Sequence, residues 1–305
     1  MPPPAPHAFT PDSSIRDPKS WSAPETAAQA RDALALHLGE ISRRAGGLIL
    51  EAVARGFNVY TKPDGSSYTD ADVEAERYIL EALAAHFPGV PVVAEEQSAE
   101  RAQAGEAIGA NPLPDAFFLV DPLDGTRDFA TGGIEYTVNI AAIVGGTPVA
   151  GAVYAPASRT LWVGGAHAFT LKIEPDAPAA APGDWRAIVT RPVPEAGLTA
   201  LASRRHADGP TADFLAGLPV HERIAASSSV KFCAIAEGRA DVYPRFGQTM
   251  EWDTAAGDAV LRAAGGIVTD ETGVQITYGR TQDGHVNRPF IAWGDSAASR
   301  RFLGR

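Results

Sequence analysis

Between Glu25 and Arg55 apolar residues return every third or fourth position, at Leu34, Leu38, Ile41, Leu48 and Val53, with charges between them. That period predicts an amphipathic helix. After the turn-forming stretch KPDGSSYTDAD a second helix is predicted from Thr69, with Val73, Leu80, Leu83 and Phe87 on one face and Thr69 and Asp72 placed as a capping box. The period then shortens. Apolar runs at Val90 to Ala94, Ala116 to Val120, Tyr136 to Val144, Val149 to Tyr154 and Thr160 to Val163 read as strands, so two helices should cover a sheet with antiparallel hairpins. From about Ala187 strands and helices alternate. AIVT, LTALAS, ADVYPRF and GGIVTD read as strands; helices are expected near Pro210 to Leu218, Ser228 to Glu237 and Asp253 to Ala264, which indicates a second α/β unit. The Pro-rich stretch IEPDAPAAAPGDW, Ile173 to Trp185, separates the two. The organisation expected is a disordered Pro-rich tail over residues 1–24, an α+β half over 25–175 and an α/β half over 186–305.

Bulk properties narrow the function classes. Among 305 residues no run approaches the roughly 18 apolar positions of a membrane span. The first residues lack the cationic start and apolar core of a signal peptide, and Cys233 is the only cysteine, so a soluble, cytoplasmic protein without an intrachain disulfide is expected. A net charge of -11 gives no overall attraction to nucleic acid or anionic lipid. An anionic ligand would need a local reversal of sign, which bound divalent cations would supply.

Four short motifs carry acids at the ends of elements: YTDAD (Asp70, Asp72), VVAEEQ (Glu95, Glu96), VDPLDGT (Asp121, Asp124) and EWDTAAGDA (Asp253). Singly each has an ordinary reading. Asp72 and Asp253 could cap helices, Glu95 and Glu96 could end a strand in solvent, and Asp124-Gly125 could be a turn. Asp121 is harder to dismiss, because it follows the apolar run AFFLV, where a carboxylate is costly unless paired or on a metal. Pro122 interrupts ladder pairing and Gly125 allows a tight turn, so Asp121, the Leu123 carbonyl and Asp124 could converge on one point. Oxygen-only ligands favour Mg²⁺, Mn²⁺ or Ca²⁺ over Zn²⁺. Cations there would attract a phosphate ester, and Gly125 and Thr126 at a helix start would offer it backbone N–H groups. The spacing D-x-x-D-G-T, well into the chain, differs from the D-x-D-G-T of haloacid-dehalogenase-type phosphatases.

These motifs, with EE after a strand, then DPLDGT, then WDTAAG, resemble the lithium-sensitive, Mg²⁺-dependent inositol monophosphatase superfamily over about Ala27 to Trp293. The run SSSVKFCAIAEGRADVYPRFG is similar to its bacterial 3'(2'),5'-bisphosphate nucleotidases of sulfate assimilation. The resemblance implies a layered α-β-α-β-α sugar-phosphatase fold, α/β in class, with its site where the halves meet. It implies a first Mg²⁺ on Glu95, Asp121 and the Leu123 carbonyl, and a second on Asp121, Asp124 and Asp253. Asp72 and Thr126 would activate water, with Glu95 also at the catalytic centre, and Asp72 could approach a third, looser cation. Gly125 and Thr126 would hold the scissile phosphate. Lys231 and Arg245 would meet a 5'-phosphate, with Ser228 and Ser229 as neutral donors and His206 near the ribose or base. The two cations could instead pair with a nearby acid, and His206 could be an exposed loop residue. Arg127, Arg205 and Asp258 depart from the residues usual in the subfamily.

The activity so implied is removal of the 3'-phosphate of adenosine 3',5'-bisphosphate, and of its sulfated counterpart, by metal-activated water. Inositol-1-phosphate or another sugar phosphate is the competing substrate. A non-catalytic nucleotide- or metal-binding protein is the competing class, disfavoured because binding alone does not need Asp72. Oligomeric state is not readable from the chain.

Overall fold

The computed structural model describes residues 15–22, 27–106, 112–203 and 209–304. Helices α1 (Ala27–Arg55) and α2 (Asp70–His86) form the first layer, joined by an antiparallel hairpin of β1 (Val59–Thr61) and β2 (Ser67–Thr69). The second layer is a seven-stranded sheet in chain order: β3 (Val92–Ala94), β4 (Ala116–Asp124), β5 (Thr137–Val144), β6 (Thr147–Ala155), β7 (Thr160–Gly164), β8 (Ala168–Lys172) and β9 (Arg186–Ala187). Its pairs are antiparallel except β3 with β4, which the short α3 (Glu95–Gln103) helps connect. A single turn of helix, α4 (Thr126–Ala130), follows β4.

The remaining chain builds a five-stranded sheet from β10 (Leu198–Ser203), β11 (Val220–Ala226), β12 (Val242–Arg245), β13 (Ile267–Thr269) and β14 (Phe290–Trp293). Their spatial order is β11-β10-β12-β14-β13. Helices α5 (Gly209–Ala216), α6 (Val230–Ala236), α7 (Glu251–Ala263) and α8 (Ser296–Phe302) complete the chain.

Three apolar cores hold the five layers together, the middle one covering both faces of the α6–α7 layer, as expected for α-β-α-β-α. Phe118 and Val120 of β4 face α1 and α2, whereas Phe117 and Leu119 face α6 and α7, so the strand is buried on both sides and reads as a continuous apolar run. The middle core also takes Tyr243, Phe290 and Ala292 from the second sheet. Val242, Ile291 and Trp293 on that sheet's far side pack with Leu215 of α5 and Ala298 of α8. Helix α7 lies close enough to the seven-stranded sheet that a Cβ on Gly151 would stand 2.7 Å from Ala259 Cβ, and one on Gly164 2.5 Å from Val260 Cα. Glycine at both places lets the helix seat.

Several expectations change. The tail expected over residues 1–24 is ordered where it is described: Ile15 and Trp21 are buried, Trp21 Nε1 donates to the Ile15 carbonyl, and the indole packs on Phe87 and Phe118. The apolar area of a tryptophan outweighs the cost of ordering a short segment that Pro18 already stiffens. Val53 and Val73 are exposed. Small residues carry the helix contacts instead: Ala45 and Ala52 are buried, and Gly46 admits the Tyr154 ring, which an added Cβ would meet at 2.5 Å. Of the expected strand AIVT only Ala187 is in a strand, as the second residue of β9, and β4 runs past Val120 to Asp124. The β1–β2 hairpin, β8, β11, β14, α3 and α8 are not predicted by the sequence pattern.

Candidate active site

A cavity of about 300 Å³ opens at the junction of the two halves. Its lining includes Glu95, Asp121, Asp124 and Asp253 together with Lys231 and Arg245. Local sequence explains each placement. Beyond Val120 the pairing of β4 with β5 shifts register between Asp121 and Asp124, as a proline in the strand requires. Asp121 folds back so that its Oδ1 accepts the Leu123 N–H at 3.0 Å. Gly125 then caps α4 at φ 98°, a left-handed conformation that turns the chain from strand to helix at once.

Asp72 does two things with two oxygens. Oδ2 accepts from Thr69 N at 2.8 Å and Thr69 Oγ1 at 2.5 Å, completing the expected capping box, while Oδ1 lies 3.0 Å from Thr126 Oγ1. That hydroxyl is also 2.8 Å from the Leu123 carbonyl. The capping reading and the catalytic reading of Asp72 are therefore compatible. Asp253 is the third residue of α7 rather than its cap, and its Oδ2 accepts the Met250 N–H at 2.8 Å.

Electrostatically the acids form one group. Burial pushes the Asp121 carboxyl well above the usual range, and Glu95, Asp124, Asp253 and Asp72 add repulsion. Asp253 is raised by burial and then by Asp124 and Glu95; Asp124 is raised by burial, opposed by Lys231. Burial lifts Asp72 to about 6, with Glu95 contributing. Such a set is short of positive charge.

Elsewhere in the cavity lining Lys231 Nζ donates to the Ser228 carbonyl at 2.5 Å and sits 5.0 Å from the centre of the Tyr243 ring. Burial, opposed by Asp124 and aided by Arg245, lowers it to about 8. Arg245 NH2 donates to the Gln248 carbonyl at 3.3 Å. Among the described residues neither cation lies within 4.0 Å of a carboxylate oxygen, although Asp124 attracts Lys231 and Arg245 acts on Asp253. Ser228 holds a left-handed φ of 53°, and its buried Oγ has no hydrogen-bond partner. A strained residue with an unmet donor on a cavity wall is suited to a ligand.

Ser229 behaves differently from its neighbour. It does not line the cavity; its Oγ accepts from Asn139 Nδ2 at 3.0 Å and donates to the Asp253 carbonyl at 2.8 Å, with Asp124 Oδ2 3.3 Å away. Its hydroxyl ties β5 and β4 to α7. His206 and Arg205 lie outside the described residues.

The sequence reading missed four participants. Ser227 lines the cavity, donating from Oγ to Asp128 Oδ2 at 2.5 Å and from its N–H to Glu135 Oε2 at 2.7 Å. Lys62 reaches from the hairpin to Glu95 and Glu96. These partners are distant in sequence, so periodicity and local motifs carry no signal for them. Cys233 is fully buried and burial raises its thiol, as expected for a structural residue. Asp258, unexplained by sequence, is a buried carboxylate bound by Arg262 at 2.7 and 3.0 Å and by Tyr278 Oη at 3.0 Å.

The inositol monophosphatase family model matches residues 31–300, and the chain belongs to that family. Within it, the chain is 36% identical over 241 residues to the 3'(2'),5'-bisphosphate nucleotidase CysQ of Escherichia coli K12, covering 78% of this chain and 91% of that one. The CysQ structure from Bacteroides thetaiotaomicron superposes with a TM-score of 0.70 at 31% identity, over 86% of this chain and 97% of the other. The inositol monophosphatase of Anabaena shares the fold, with a TM-score of 0.64 at 21% identity over 90% and 96% of the two chains. No described helix is long and apolar enough to cross a membrane.

Proposed function

We propose that the protein is a Mg²⁺-dependent phosphomonoesterase that removes the 3'-phosphate of adenosine 3',5'-bisphosphate, or of its sulfated counterpart, leaving the 5'-phosphate. The observation that supports the substrate is the buried pair Lys231 and Arg245, which line the same cavity as the acids and, among the described residues, form no ion pair with a carboxylate within 4.0 Å. The acids suit cations and the scissile phosphate, the two cationic side chains a second anion. A monophosphate such as inositol-1-phosphate needs only the first. The similarity to CysQ nucleotidases points the same way.

The donor set fits a hard cation: it is all oxygen, acidic, buried and mutually repelling. Among the described residues no three such side chains already stand as a closed cage, so binding would draw them together. Glu95, Asp121 with the Leu123 carbonyl, Asp124 and Asp253 would hold Mg²⁺, two ions on the family pattern with a third near Asp72. When bound, Mg²⁺ supplies charge neutralisation for the phosphoryl oxygens and eases deprotonation of water.

The protein's own groups do the rest. Thr126 Oγ1, held between Asp72 and the Leu123 carbonyl, orients a water for in-line attack, and Asp72 accepts the proton it loses. The new P–O bond forms as the bond to the 3'-oxygen breaks, and that oxygen leaves with a proton from solvent. The first turn of α4 offers the N–H groups of Gly125 and Thr126 to the phosphate. Lys231, Arg245 and the Ser228 hydroxyl fix the 5'-phosphate, and His206 would lie near the sugar or base.

Phosphate release from adenosine 3',5'-bisphosphate and from inositol-1-phosphate, each with Mg²⁺ and with EDTA, tests this. Strong preference for the nucleotide, lost in EDTA, is expected. Preference for inositol phosphate would retain the carboxylate chemistry and refute the nucleotide reading.

A further inference from the structure

Along β5 the alternation that points Ala141 and Ile143 into the middle core brings Asn139 to the same face. Register then sets Asn139 opposite Asp121 of β4 and Thr137 opposite Asp124, so two polar residues of β5 stand beside the two aspartates that end β4. Asn139 is 1% exposed, as is Ser229 at the start of α6.

A single donor explains the amide. Its Oδ1 is buried without a hydrogen-bond partner among the described residues, which costs stability that a leucine of similar shape would not incur. Its Nδ2 donates to Ser229 Oγ at 3.0 Å. A hydroxyl has one hydrogen, and an oxygen that accepts from an amide turns that hydrogen away from it. The acceptors then within reach are the Asp253 carbonyl at 2.8 Å and Asp124 Oδ2 at 3.3 Å. Asn139 thus fixes the direction in which Ser229 donates, and Ser229 joins the end of β4 to the first turn of α7.

We propose that Asn139 is a positioning residue for the cation site: acting through Ser229, it holds Asp124 and the first turn of α7 so that the carboxylates of Asp124 and Asp253 can share one Mg²⁺. Asn139 does not line the cavity, so its effect is indirect. This rests on the reading of Asp124 and Asp253 as cation ligands.

Calorimetric titration of the full, cation-free chain with Mg²⁺ tests it. Asn139→Leu and Ser229→Ala should each bind about tenfold more weakly than wild type, the low end of the loss when a partner behind a metal ligand is removed. The double variant should match the weaker single one, because both changes break the same chain of hydrogen bonds. Thr137→Val, beside Asp124 but with no hydrogen bond from its buried Oγ1 among the described residues, should match wild type. Unchanged or tighter binding by either single variant, losses that multiply in the double variant, or an equal loss in Thr137→Val overturns the proposal. Should Asn139→Leu not fold, Asn139→Ala removes the same donor without added bulk and takes its place. Mg²⁺ binding in wild type that Asp124→Asn abolishes keeps the cation reading whatever Asn139 does; no binding in wild type overturns both.

Discussion

Thr126 Oγ1 lies 3.0 Å from Asp72 Oδ1, so the start of α2 and the turn after β4 meet at one hydrogen bond. Two chain segments far apart in sequence thereby meet, with Thr126 on the cavity wall and the Asp72 carboxylate buried behind it. Asp72→Asn should lower phosphate release by about 10²- to 10⁴-fold, the range for loss of a positioned general base. Thr126→Ala should also cost activity, and Thr126→Ser should restore most of it. Circular dichroism of each variant checks that the fold survives; an Asp72→Asn enzyme with wild-type turnover would refute the assignment.

On the proposed function Arg245 and Lys231 should divide the substrates. Arg245→Ala and Lys231→Met should reduce kcat/KM for adenosine 3',5'-bisphosphate by about 30-fold or more, the loss expected for a buried cation–phosphate contact. Turnover of inositol-1-phosphate, where present, should change little. Equal losses on both substrates would show that the pair supports the whole site rather than the second anion.

Asp258 is a matter of stability. Removing a fully buried carboxylate from Arg262 and Tyr278 leaves a largely buried guanidinium uncompensated, so Asp258→Ala should cost about 3 kcal/mol in urea unfolding. Tyr278→Phe removes one hydrogen bond and should cost about 1 kcal/mol.

Acid should weaken the α1–α2 contact. His37 Nε2 lies 2.8 Å from His86 Nδ1, and burial, followed by repulsion from His86, lowers His37 from 6.5 to about 3. A histidine depressed in the folded state is neutral there while the unfolded chain takes up a proton below pH 6.5. Stability is therefore full above that value and falls as pH drops toward 3, by about 2 kcal/mol at pH 5. His37→Gln should flatten the dependence of the urea midpoint between pH 7 and 5; an unchanged slope would locate the acid sensitivity elsewhere.

The acidic motifs were legible in sequence because each sits at the end of its own element. Gly125 behind Asp124, and the capping box at Thr69, declare their backbone geometry locally. The Lys62 contacts and the Ser227–Asp128 bond were not legible, since they depend on how separate elements pack. The helix faces were legible at Leu34, Leu38, Ile41, Leu83 and Phe87, which are buried, but not at Val53 and Val73. Hydrophobic periodicity weights large side chains, yet α1 makes its closest approach to Tyr154 through Gly46, leaving Val53 exposed. Trp21 was hidden by the prolines around it, which suggest disorder unless an apolar anchor is counted.

The central core has an implication for how the protein is made. Phe117, Leu119 and Val153 of the first sheet are covered by residues of α6 and α7, which the ribosome delivers late. Until those helices emerge, an almost complete sheet exposes one apolar face and lacks Asp253, Lys231 and Arg245. The nascent chain is thus a sticky and inert intermediate, and catalytic competence arrives together with the solubility of its largest sheet.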